Sequence, residues 1–257
     1  MEQGPFVRVK LDCINKSFMI GKKRNTPMPV VKDISFDVYD NEFLVLLGPG
    51  RCGKTTIINI MAGLLTADSG AVLMDGVEIN EPNPEMGMVF QKMGMLPWLT
   101  VMGNVEFGPK MRRINKEERR KHAQHFIDLV GLTGFEKHYP YQISGGMKQR
   151  VGIARAYAND PKILIMDEPF GALDAQTRYS MQNEVLSIAT KEKRTIVFIT
   201  NNIEEALLLG DRIILFTNCP AEVKQIYKVD FSKPRDTMQR DFLLLRKEIS
   251  DNTALAL

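Results

Sequence analysis

Residues 48 to 56 read GPGRCGKTT, and Gly48, Gly53, Lys54 and Thr55 satisfy the spacing G-x-x-x-x-G-K-[ST]. A loop with this spacing turns successive backbone N–H groups toward phosphate oxygens, and a helix starting behind it adds its positive end. Lys54 would reach the terminal phosphates of a nucleotide, and the Thr55 hydroxyl would ligate Mg²⁺. Pro49, Gly50, Arg51, Cys52 and Thr56 complete the expected cradle. If Arg51 must take a left-handed backbone conformation, its β-carbon costs about 1 kcal/mol, which charge-assisted contacts to the nucleotide can offset. Cys52 lies near a helix N-terminus, where the dipole lowers a thiol pKa, so alkylation that a bound nucleotide slows is expected there. The alternative for Cys52 is a small inert residue. For the whole stretch the plain alternative is a glycine turn before an ordinary helix.

A second constellation is KILIMDE, residues 162 to 168, an apolar strand that ends in two carboxylates. A strand covered on both faces cannot hide such groups, so they should emerge at the carboxyl edge of a sheet. Asp167 would join the Mg²⁺ shell and Glu168 would polarise an attacking water. The plain reading is a pair of acids opening a solvated loop. Upstream, Ser144, Gly145 and Gly146 open a helix, leaving free N–H groups without a β-carbon to obstruct an anion.

Elements to position these residues can be read from periodicity. Phe6 to Cys13 and Ile34 to Val38 alternate apolar and polar and predict an antiparallel patch, whereas FLVLL at 43 to 47 is apolar throughout and predicts a buried strand. Met88 to Phe90, Ile163 to Met166, Ile196 to Thr200 and Arg212 to Phe216 are further buried strands. Thr55 to Leu65, Lys116 to Val130, Gly146 to Asn159, Ala175 to Lys191 and an amphipathic stretch near Met238 to Ile249 predict helices. The fold class is α/β: a P-loop NTPase core with a mainly parallel sheet, an N-terminal antiparallel β patch and an inserted helical subdomain. Residues 1–94 and 160–235 would form the core, 95–159 the helical subdomain carrying the SGG segment, and 236–257 a helical tail.

Bulk properties narrow the partners. The 257 residues carry 34 basic and 31 acidic side chains, a net charge of +3, which gives no global electrostatic case for nucleic acid. Lys22 to Arg24 and Arg112 to Lys121 read as solvated faces. No apolar run reaches the roughly 18 residues of a membrane span, and the first ten residues lack the apolar core of a signal peptide, so a cytoplasmic chain is expected. Three scattered cysteines argue against a disulfide framework or a zinc site.

Taken in order, the phosphate loop, VFQ (89–91), ISGGMKQR (143–150), ILIMDEP, GALD (171–174) and IT before Asn201 resemble the ATPase subunits of ATP-binding cassette transporters. The resemblance runs from about residue 8 to 235. MLPWLTVMGNVEFG (95–108), EPFGALDAQTR (168–178) and KVDFSKPRD (228–236) further resemble the nitrate, sulfonate and taurine importer branch. It implies ATP and Mg²⁺, a second ATPase subunit packed head to tail, transmembrane permease subunits, and indirectly an extracytoplasmic solute-binding protein. The location implied is the cytoplasmic face of a bacterial membrane. Each nucleotide would lie between the phosphate loop of one subunit and Ser144, Gly145 and Gly146 of the other.

The resemblance also implies that Phe18 stacks on adenine, although a core phenylalanine fits its spacing as well. Gln91 would sense the γ-phosphate and contact Mg²⁺, and Asp174 would cross the dimer interface. Met93, Met95, Leu96, Pro97 and Trp98 would help form a groove for a permease helix, or else plain core. Departures are Gly50-Arg51 where the family has Ser-Gly, Lys148 where it has Arg, and Asn201 where it has His. Asn201 leaves two readings, an ordinary ATPase and a nucleotide-binding regulatory subunit with weak hydrolysis; Asn202 or a water could compensate. An ATPase of another transport class is a third.

Overall fold

The computed structural model describes residues 5–20, 26–91, 94–171 and 173–253. In chain order the strands are Val7–Ile20 (β1), Thr26–Tyr39 (β2), Phe43–Leu47 (β3), Ser69–Met74 (β4), Val77–Glu78 (β5), Met86–Val89 (β6), Ile163–Asp167 (β7), Thr195–Thr200 (β8), Arg212–Phe216 (β9) and Val223–Lys228 (β10). The helices are Lys54–Met61 (α1), Val101–Val105 (α2), Phe107–Met111 (α3), Lys116–Leu129 (α4), Gly145–Ala158 (α5), Ala175–Glu192 (α6), Ile203–Leu209 (α7) and Arg240–Asn252 (α8). The chain divides into two compact units, Met1–Asn83 with Arg194–Leu257, and Pro84–Lys193.

The first unit holds an antiparallel sheet in the order β2-β1-β4-β5 and a run of strands β10-β9-β3-β8. The expected antiparallel patch is thus present, and longer than its alternating cores, because β1 continues through NKSFMI to pair with β2 up to Ile20 opposite Thr26. β3 pairs in parallel with β8 on one side and β9 on the other, and only β10 runs antiparallel. All five residues of β3 and all six of β8 are buried, as a strand flanked on both faces requires. Each buried Leu, Ile, Val or Phe there contributes on the order of 1.5–3 kcal/mol.

Within the second unit, β6 and β7 pair in parallel from Met86 opposite Ile163 to Val89 opposite Met166. Among the described residues between 95 and 159 there is no strand, as expected, and α4 and α5 pack through Ala123, Phe126 and Ile127. The Phe126 and Tyr157 rings stack at 5.8 Å. Arg112 to Lys121 is mostly exposed, whereas Lys22 to Arg24 lies outside the described residues.

Six elements escape the periodicity reading, among them α2 and α3 of five residues each. β5 and α7, of two and seven residues, are too short to show a period, β4 opens with Ser69-Gly70 in what reads as a turn, and β10 is a mostly exposed edge. Among the described residues no helix is long and apolar enough to cross a membrane.

Candidate functional site

The phosphate loop leaves the buried end of β3 and enters α1 directly at Lys54. Its geometry explains its glycines unevenly. Gly53 has φ +122°, and a β-carbon there would come within 2.7 Å of the Val30 carbonyl oxygen, so only glycine fits. A β-carbon on Gly50 would meet nothing within 4 Å. Arg51 is the residue that sits left-handed, at φ 64°, with its side chain in solvent. Lys54 is buried, and its ammonium donates to the carbonyl oxygens of Gly48 and Pro49, both at 2.7 Å. Thr55 is exposed and Thr56 half-buried in the first turn of α1, which contains no acidic residue. That helix start therefore offers N–H groups and positive charge to an anion.

Cys52 overturns the expectation of a reactive thiol. It is 1% exposed, and burial pushes the thiol pKa up from its ordinary value, against the opposing pull of Lys54. Its sulfur lies 3.9 Å from the Lys54 ammonium, and a β-carbon on Gly48 would stand 3.1 Å from it. Desolvation outweighs the helix dipole, so Cys52 fills space behind the loop. Phe18 is 39% exposed on β1, which overturns its alternative reading as a core side chain, and its ring lies 5.8 Å from the Lys16 ammonium.

At the same edge of the first unit's sheet, on the strand next to β3, β8 ends at Thr200 and Asn201 follows, exposed. Asn202 caps α7: its side-chain oxygen accepts from the N–H groups of Glu204 at 2.8 Å and Glu205 at 3.1 Å. The Thr200 hydroxyl donates to the buried Glu205 carboxylate at 2.6 Å and accepts from the Asn202 N–H at 3.0 Å. This turn escaped the sequence reading, although Asn202 before Glu204 and Glu205 is a legible helix-start signal.

In the second unit, β7 ends in Asp167, 5% exposed, followed by half-buried Glu168. Glu168 has φ 41°, a strained conformation for a residue with a β-carbon and one that clusters at functional sites. Gln91 stands just past β6, the parallel neighbour of β7, and its side-chain N–H donates to Glu168 Oε2 at 3.1 Å. The pairing of β6 with β7 brings together two residues that lie far apart in sequence.

Ser144 caps α5 by accepting from the Met147 N–H at 3.3 Å, while Gly145 is exposed with open space where a β-carbon would stand. Gly146 is closer packed, 3.0 Å from a Thr177 methyl. Asp174 caps α6 by accepting from the Thr177 N–H at 3.0 Å, and that bond holds its carboxyl below the usual range. Ala172 in the same turn lies outside the described residues, as does Met93.

Trp98 is 69% exposed, so the apolar segment around it is not plain core. Buried Asn104 fixes that segment: it accepts from the Leu96 N–H at 2.8 Å and donates to the carbonyls of Leu96, Leu99 and Thr100 at 3.0–3.1 Å.

Similar proteins agree with the ordered motifs. A sequence model of the family described as ABC transporter matches residues 31–171. The chain is 48% identical over 243 residues to the uncharacterized ABC transporter ATP-binding protein MJ0412 of Methanocaldococcus jannaschii, covering 95% of this chain and 90% of that protein. It is 44% identical over 205 residues to the taurine import ATP-binding protein TauB of Yersinia pestis, covering 80% of each. Among solved structures, the dimeric post-hydrolysis state of the ATP-binding cassette MJ0796 bound to ADP and Pi superposes with a TM-score of 0.75 at 31% identity, covering 87% of this chain and 100% of that one.

Proposed function

The chain belongs to the family of ABC transporter ATP-binding proteins, and on that premise we propose that it hydrolyses ATP to drive import of a small solute such as nitrate, a sulfonate, taurine or a related compound. Similarity to the taurine import protein supports the importer branch and the solute class. The segment KVDFSKPRD at residues 228 to 236, which resembles that branch, supports it too. The expected partners are a second ATPase subunit and membrane permease subunits, with an extracytoplasmic solute-binding protein beyond them. The chain would sit at the cytoplasmic face of the membrane.

Hydrolysis divides among side chains by their chemistry. The N–H groups from Gly50 to Thr56 and the Lys54 ammonium would bind the β and γ phosphates. Lys54 would exchange its bonds to Gly48 and Pro49 for phosphate oxygens. Glu168 would accept a proton from the attacking water, and Gln91 would orient that carboxylate and register the γ-phosphate. Asn201 would donate a neutral hydrogen bond to the same phosphate. The Thr55 hydroxyl, the Gln91 amide oxygen and the buried Asp167 carboxylate are hard oxygen donors that fit Mg²⁺, which when bound neutralises charge on the phosphates.

Phe18 would stack on adenine, its ring being partly exposed. Ser144, Gly145 and Gly146 would complete the nucleotide site of the partner subunit. Trp98, held outward by the Asn104 anchor, would contact the permease. Residues 1–94 with 160–235 as nucleotide-binding core, 95–159 as helical subdomain and 236–257 as tail remain the functional division that this reading uses.

The observation that carries the hydrolytic reading is the hydrogen bond from Gln91 to Glu168, which gives the general base a partner that can respond to the γ-phosphate. One observation favours the second reading, a regulatory subunit with weak turnover: Asn201 stands where the family has His. Vesicles holding this chain with its permease and binding protein test both. ATP-dependent uptake of labelled taurine, an alkanesulfonate or nitrate is expected. Turnover without uptake of any of the three overturns the solute class, and uptake failing together with turnover overturns the enzyme.

A further inference from the structure

The residue types in the phosphate loop are the reverse of what its backbone alone would select. Gly50 occupies a position with open space for a β-carbon, and Arg51 occupies the left-handed one at φ 64°. A non-glycine residue there carries strain of about 1 kcal/mol, which a contact made by its side chain can offset. Among the described residues no carboxylate or carbonyl holds the exposed Arg51 guanidinium. Other arginines of the same unit are engaged: Arg8 with Asp40 and Asp75, Arg212 with Glu42, and Arg235 with four carbonyls.

Two further features say what Arg51 is for. β3 and β8 pair in parallel with Leu47 opposite Thr200, so the phosphate loop and Asn201 leave the same sheet edge. Asn201 brings no positive charge to that edge, and no acidic residue in the first turn of α1 competes for Arg51. We infer that Arg51 is a specificity-determining residue whose guanidinium forks onto the terminal phosphate of ATP and supplies the cation that Asn201 lacks. A guanidinium matches phosphate oxygens in a bidentate geometry. The inference deepens the proposed function and rests on it.

Equilibrium binding of a non-hydrolysable ATP analogue and of ADP to the full chain, read by calorimetry, tests it. Arg51→Gly suits the backbone, and Arg51→Asn keeps a neutral side chain that tolerates φ near +60°. In both variants the analogue is expected to bind roughly ten- to a hundredfold more weakly, with ADP affinity within about twofold of wild type. Equal losses for the two nucleotides, or no loss for either, overturn the assignment of Arg51. Wild-type chain that binds neither nucleotide overturns the proposed function instead.

Discussion

The Gln91 side-chain N–H meets Glu168 Oε2 at 3.1 Å, joining the end of one parallel strand to the end of its neighbour. Glu168 is thereby aimed by an amide that follows β6, and its φ of 41° fixes the backbone from which it projects. A carboxylate held this way can accept a proton from water only while it stays ionised and correctly turned.

Glu168→Gln keeps the shape and removes the base, because an amide cannot accept that proton. ATP should remain bound while turnover falls at least about a hundredfold. Sedimentation in ATP should then show more dimer than wild type does. A variant that turns over at the wild-type rate would remove Glu168 from the catalytic role.

Asn201→His restores a side chain that can become cationic at the end of β8. The Asn202 side-chain oxygen is committed to capping α7 through Glu204 and Glu205, which leaves its amide N–H groups as the only part of that side chain able to donate to a phosphate. A hydrogen bond to a charged group contributes about 1.5–3 kcal/mol, so in the Arg51→Asn background, where that edge has lost its other cation, turnover in the membrane complex should rise roughly ten- to a hundredfold if the bond acts only in the transition state. Equal or lower turnover means that the site is built around asparagine.

Cys13 and Cys219 are exposed while Cys52 is buried. Maleimide should therefore modify the first two quickly, and Cys52 only when the chain unfolds. Mass spectrometry of timed digests reads this. Burial raises the folded thiol pKa above its ordinary value of 9.0. The stability that comes from keeping Cys52 neutral is full below that value and is lost as pH rises through it toward the folded pKa. Cys52→Ala should flatten this alkaline loss in urea titrations at successive pH values.

Arg235, 8% exposed, donates at 2.6 Å to the carbonyls of Leu207 and Gly210 and more weakly to those of Phe231 and Val229. It ties the tail to the C-terminal end of α7, the helix whose other end begins beside Asn201. Arg235→Ala leaves buried carbonyls unmatched and should destabilise the chain by about 3 kcal/mol. Urea denaturation of the full chain measures this, and a change under about 0.5 kcal/mol would show that water replaces the guanidinium.

The sequence by itself determined the chemistry and the strands that carry it. FLVLL, ILIM and IVFI are apolar along their whole length, and strands shielded on both faces bury such runs. Gly53-Lys54-Thr55 and Asp167-Glu168 were legible because the first opens a helix and the second ends a strand, where residue type and spacing are set locally. Tertiary structure decided what depends on neighbours distant in sequence. It set Gln91 against Glu168 through the pairing of β6 with β7, and it committed Asn202 to capping α7. It also buried Cys52 behind Gly48 and Lys54, so that desolvation rather than the helix dipole governs the thiol, and it placed Arg51 where the backbone favours glycine. A linear pattern fixes which groups are present and how a strand or helix turns them. Their protonation, strain and partners follow from packing, because those energies depend on what lies within a few ångströms in space.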